Sequence, residues 1–173
     1  RSQILQFKPV KTELIYEHLV GTLKVGREKA RDIASLCLGR PALAIKFLEN
    51  EDFYDFYNSK VEAILDMKQT DINGRFQIID GLIDKKLKGQ EAVGVAKRTL
   101  EVWQGVTRDF LLLSLGHNGK VQHIYVRDRL MEQVSVNNIL KFINLSKELE
   151  KAHLFLAANV NPRLVFERIA LNI

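Results

Sequence analysis

The chain has 173 residues, of which 46% are hydrophobic and 27% charged, with a net charge of +5. That length and balance suit one ordinary globular domain or two small ones, and exclude a fibrous or intrinsically disordered class. Three prolines and ten glycines leave no room for a long disordered linker. No run of about 18 apolar residues occurs and no signal-peptide pattern opens the chain, so no membrane contact is expected.

The charge is uneven. Residues 1–50 carry nine Lys/Arg against five Asp/Glu, and residues 51–173 carry seventeen against sixteen. The basic excess in the first third suits contact with phosphate or an acidic partner, and a solvated surface explains it about as well. Cys37 is the only cysteine. It excludes a disulfide framework and fits a reducing, cytoplasmic location. The first residue is not methionine, and the opening sequence reads as mid-domain, which points to a piece of a longer protein.

In chain order, Gln3 to Pro9 reads as a short extended entry stopped by the proline. Thr12 can cap a helix carrying Leu14, Ile15, Leu19 and Val20, which closes near Gly21. Gly26 can cap the next, where Ala30, Ile33, Ala34 and Cys37 form one apolar face to about Leu38. Gly39 supplies a left-handed helix stop, and Pro41 fits the first turn of a helix ending near Glu49. Arg40 stands between that stop and that start, near a set of unpaired N–H groups. It is either a solvated junction residue or an anion contact.

Composition shifts at Glu51-Asp52 and the helices lengthen. Phe53, Phe56, Tyr57, Val61, Ile64 and Leu65 recur at helical spacing to about Met67. Asp71 can cap a helix through Phe76, Ile79, Ile83 and Leu87, whose C-terminal dipole Lys85, Lys86 and Lys88 would complement. Residues 91–115 read as the longest helix, burying Ala96, Leu100, Trp103, Val106, Phe110 and Leu113. Residues 116–120 read as a turn and 121–126 as a loop. A short helix over 127–134 is followed by a long one from Val136 to about Ala158, with Ile139, Ile143, Leu149, Ala152 and Leu156 inward. Asn161 and Pro162 start a last helix through Val165 and Ile169. The fold expected is all-α.

No self-sufficient active site emerges. His18, His117, His123 and His153 lack metal-ligand spacing, and no CxxC, HExxH or GxSxG pattern occurs. Gly21-x4-Gly26 has the glycine spacing of a phosphate loop but is followed by Arg27-Glu28, without the lysine and hydroxyl that phosphate and magnesium require. Taken alone, the chain reads as a helical interaction module.

Three pieces of sequence carry a resemblance. Arg1-Ser2-Gln3 with Phe7-Lys8-Pro9 looks like the segment after the catalytic core of bacterial clamp-loader subunits. The joint Gly39-Arg40-Pro41-Ala42-Leu43-Ala44 is similar to the lid of these AAA+ proteins. The ending Ala158-Asn159-Val160-Asn161-Pro162-Arg163 resembles the C-terminus of the delta-prime family of DNA polymerase III subunits. The resemblance implies a three-helix AAA+ lid over 1–51 and a helical-bundle collar over 52–173, the collar serving ring assembly. It implies tau/gamma and delta subunits as partners, and the sliding clamp and primed DNA through the whole complex. ATP and magnesium would belong to the parent assembly, with no cofactor in this stretch.

By the same resemblance Arg40 matches a lid arginine that senses nucleotide. Arg1 matches an arginine-finger-like residue acting on a neighbour's ATP, with Ser2 where the family has cysteine. Trp103, Phe110, Asn159, Asn161 and Arg163 would lie at the oligomer interface. The alternatives are a tau/gamma fragment and a basic helical DNA-binding module. An independent enzyme finds no catalytic set.

Overall fold

The computed structural model describes residues 8–84, 86–135 and 138–173. It is all-α: nine α-helices and two short 3-10 turns, with no strand among the described residues. Contacts divide the chain into two compact units. One holds residues up to Tyr54 together with Gln122–Tyr125, and the other holds Asp55–Val121 and Val126–Ile173.

The first unit is built on three short helices, α1 (Thr12–Gly21), α2 (Arg27–Leu36) and α3 (Pro41–Glu49). Ile15 and Leu19 of α1 pack with Ala30, Ile33, Ala34 and Leu36 of α2 and with Ala44 and Phe47 of α3, all buried. Phe47 is met by the Phe53 ring at 5.2 Å and edge-on by Tyr54 at 5.8 Å. Those two rings come from the first turn of α4 (Glu51–Gln69), which continues into the second unit. Cys37, expected on the apolar face, is buried, and its thiol donates to the Ala34 carbonyl at 3.2 Å. Burial pushes that thiol's pKa up, so it is held protonated and unreactive.

The second unit contains the rest of α4, then α5 (Ile72–Leu82), α6 (Gly89–Ser114), α7 (Arg127–Glu132), α8 (Ile139–Ala157) and α9 (Pro162–Ala170). The 26-residue α6 is its centre. The stripe expected there is buried in full: Ala96, Leu100, Trp103, Val106, Phe110 and Leu113. Phe110 stacks flat on Phe142 of α8 at 4.7 Å, and Trp103 meets Phe166 of α9 edge-on at 5.1 Å. Arg129 of α7 forms ion pairs with Glu62 and, at 2.9 Å, with Asp66, both on α4.

Helix starts follow their cap chemistry. The Asp71 carboxylate accepts from the Gly74 amide at 2.9 Å, and the Asn161 side chain accepts from the Arg163 amide at 3.0 Å ahead of Pro162. Helix ends depart from expectation once. α5 stops at Leu82 instead of near Leu87. Ile83 is extended (φ −126°, ψ 125°), and the Asp84 carboxylate accepts from the Lys86 amide at 2.8 Å, which turns the backbone out of the helix. Lys86 and Lys88 thus fall beyond the last turn of α5. Lys85 and Val136, parts of the helices expected there, lie outside the described residues.

A different cation serves the end of α5. The ammonium of Lys60, in α4, donates to the carbonyl of Leu82 at 2.9 Å, and the Trp103 indole N–H donates to the Lys60 carbonyl at 2.9 Å. A buried lysine without a carboxylate is costly, and the carbonyl end of a helix offsets part of that cost.

Two outcomes test this packing. Gly39 has φ +76°, and a Cβ there would lie 2.7 Å from the Pro9 Cβ and 2.8 Å from the Val10 carbonyl oxygen. Gly39→Ala is expected to destabilise the chain by about 2 kcal/mol or more, seen as a lower urea midpoint; an unchanged midpoint refutes the close approach.

The second concerns Lys60, whose pKa burial pushes below the ordinary lysine value. The unfolded chain therefore holds this proton more tightly than the folded one. The full cost is present below the folded pKa, and stability rises as pH climbs from there toward the unfolded value of about 10.4. Lys60→Met is expected to flatten that alkaline rise in urea titrations. An identical slope in the variant refutes the assignment.

Candidate functional site

The joint between α2 and α3 is built from backbone signs. Leu38 (φ 48°) and Gly39 (φ 76°) are both left-handed, and the Arg40 amide donates to the Cys37 carbonyl at 3.0 Å. The Val10 amide donates to the Gly39 carbonyl at 2.9 Å, which pins the entry strand of chain to the joint. Arg40 becomes the N-cap residue of α3 and is exposed. Its Nε donates to the Cys37 carbonyl at 3.3 Å, and no carboxylate among the described residues pairs with it. The unpaired N–H groups expected beside it are fewer than the sequence implied. Pro41 has none, and the amides of Leu43 and Ala44 both donate to Arg40's own carbonyl. What remains is an exposed guanidinium at a helix start, fixed at its Nε and open at its tip. An apolar groove of about 240 Å³, walled by Val10, Leu14, Leu19, Pro41 and Ala44, lies between α1 and α3. Arg1 lies outside the described residues.

The residues expected at an oligomer interface separate into two groups. Trp103 and Phe110 are completely buried in the core of the second unit, so they have no surface to present to a neighbour. A large aromatic on an apolar stripe looks alike in sequence whether it fills a core or an interface, and here the core takes both. Asn159, Asn161 and Arg163 are exposed. Asn159 is left-handed (φ 58°) and ends the turn after α8, while Asn161 caps α9. The Arg163 guanidinium pairs with Asp80 and with Glu167, each at 2.9 Å, which ties α9 to α5. Asn159 and Asn161 lie in the short turn between α8 and α9, and Arg163 follows in the first turn of α9.

The exposed apolar side chains nearby were not singled out by sequence. Leu140 and Leu154 of α8 are 73% and 70% exposed and stand on one face, two heptads apart. Leu164 and Leu171, one heptad apart at α9, are exposed as well. Their signal was present as leucines off the inward stripe. A set of three cations, Lys68, Arg75 and Lys141, lines a cavity of about 520 Å³ in the second unit, and no linear pattern joins them.

Among the described residues no three His, Cys, Asp or Glu side chains come together to hold a metal ion. No helix among them is long and apolar enough to cross a membrane. No family model, curated protein or solved structure matches the chain.

Proposed function

We propose that the chain is the lid and collar region of a bacterial clamp-loader subunit of the delta-prime type, a structural member of the ring that places the sliding clamp on primed DNA. The observation that carries the reading is the joint at Gly39-Arg40-Pro41. It stands at the head of the third helix of a small three-helix unit, and the chain runs on into a larger all-helical one. Arg40, exposed and without a carboxylate partner among the described residues, has the freedom that contact with a nucleotide phosphate needs. Cytoplasmic location follows from the reading, with tau/gamma and delta subunits as neighbours. ATP and magnesium would be held by the parent assembly.

In this reading the ring contact belongs to the leucines left exposed by α8 and α9. Leu140, Leu154, Leu164 and Leu171 expose apolar surface that association would remove from water, at about 25 cal/mol per Å² buried. Asn159 and Asn161, in the turn between those helices, and Arg163, in the first turn of α9, would form a polar rim.

Mixing the chain with the lid and collar region of a tau/gamma subunit, then measuring mass by light scattering behind gel filtration, tests this directly. A complex of defined stoichiometry is expected, weakened about tenfold or more by Leu154→Asp, which places a charge on the exposed face. Separate monomers at tens of micromolar, or a complex indifferent to Leu154→Asp, would overturn the assignment of assembly to this surface.

A further inference from the structure

The second unit holds a cavity of about 520 Å³ that the clamp-loader reading does not use. Three helices bring a cation to it: Lys68 from the end of α4, Arg75 from α5 and Lys141 from the first turn of α8. No acidic side chain lines it among the described residues. Asn138 and Asn144 add neutral amide donors, and Leu145 and Leu171 add an apolar wall.

The cations are held in different ways. Arg75 is immobilised. Its Nε donates to the Met67 carbonyl at 3.0 Å, and its Nη1 to the oxygens of Ala170 and Ile173 at 2.9 and 3.0 Å. These oxygens fix the orientation of the guanidinium. Lys68 is half-buried, with its ammonium over the Phe110 ring at 5.0 Å and the Phe142 ring at 4.6 Å. It donates no hydrogen bond to the described residues, and its remaining open side is the cavity. Lys141 is exposed and forms no ion pair there. The Ile173 oxygen is engaged by Arg75 and by neither lysine.

Several other cations of the unit are neutralised by carboxylates. Arg129 takes Glu62 and Asp66, Arg163 takes Asp80 and Glu167, and Arg168 takes Glu148. At this cavity three like charges converge with no acidic side chain among the described residues lining it. Burial first, then the charges of Lys141 and Arg75, push the Lys68 pKa down, as expected where a counter-charge is missing.

We propose that this cavity binds a phosphate-bearing ligand of nucleotide size, with Lys68 and Lys141 in direct contact with the phosphoryl oxygens and Arg75 as the fixed charge behind them. The volume is that of an ordinary small-ligand site. Charge-assisted contacts with two ammonium groups suit a phosphoryl group, and the apolar wall accepts the uncharged part of the ligand. A free nucleotide and a nucleotide within a single strand share this chemistry. The inference stands on the cavity and does not depend on the clamp-loader reading.

Titration calorimetry at low salt decides it, with pyrophosphate, ATP without added metal, and a short oligothymidylate as probes. Saturable one-site binding of ATP or the oligonucleotide is expected, weakened about tenfold or more by Lys141→Gln. Lys147→Gln, the same charge change on α8 outside the cavity, is expected to leave affinity within about twofold. Tighter binding of ATP points to a free nucleotide, and tighter binding of the oligonucleotide to a strand. Because Lys68→Met also removes packing on two rings, Lys68 is read by NMR: a bound phosphate is expected to raise its pKa, which a purely structural lysine would not show. No saturable binding of any probe, or equal losses from Lys141→Gln and Lys147→Gln, would overturn the proposal.

Discussion

The second unit depends on one buried exchange of hydrogen bonds. The Trp103 indole N–H needs an acceptor once it is completely buried, and finds the Lys60 carbonyl on α4. The side chain of the same Lys60 crosses to the Leu82 carbonyl, the last residue of α5. Trp103 in turn meets Phe166 of α9 edge-on. Four helices are therefore registered at one point. Apolar burial alone would let α4 and α6 slide by a turn with modest loss, whereas a slide here would leave an indole N–H, an ammonium and a helix-end carbonyl unpaired in the core.

The same device recurs at other helix ends. The last carbonyls of a helix lack partners within it. Arg75 supplies Met67 near the end of α4 and Ala170 at the end of α9, and Gln133 reaches the Leu65 carbonyl at 3.3 Å. The donors to Ala170 and Leu65 come from 95 and 68 residues away, so those bonds close a long loop as well as a helix end, while Met67 is met from only eight residues on. The Gly-based stop of α2, which uses only local residues, could be read from the sequence, while the end of α5, met by Lys60 from 22 residues away, could not.

Most of the fold was legible because its starts are local. Asp71, Asn161 with Pro162, and Gly26 each announce a helix within a few residues, and each begins one. The inward stripe of α6 was legible for a similar reason: 26 residues give many repeats of the helical period. The end of α5 was misread because Ile83 and Leu87 continue an apolar period after Asp84 has turned the backbone. Phe142 and Leu145 of α8, both buried, were missed where Ile139 and Ile143 were favoured, and those two isoleucines are only half-buried. The leucine-rich sequence of α8 offers more apolar residues than one face can bury, and only the partner helix decides which face turns inward. At the joint, the position of Arg40 was legible, but the number of free amides beside it was not, since that follows from the bonds that Leu43 and Ala44 make.

Electrostatics shows where segment totals fail. Residues 51–173 carry seventeen basic and sixteen acidic side chains, close to neutral, and the basic excess lies in residues 1–50. Yet three cations converge on one cavity in the second unit, while several of its acids pair with other bases. Glu62 and Asp66 are spent on Arg129, and Asp80 and Glu167 on Arg163. Glu148 bonds both Lys151 and Arg168, and these hold its carboxyl below the ordinary range. Lys68, Arg75 and Lys141 face one cavity that no acidic side chain among the described residues lines. A balanced total thus coexists with a local set of three cations around one cavity. That set would gain from an anion, since its cost of mutual repulsion is already present in the folded state.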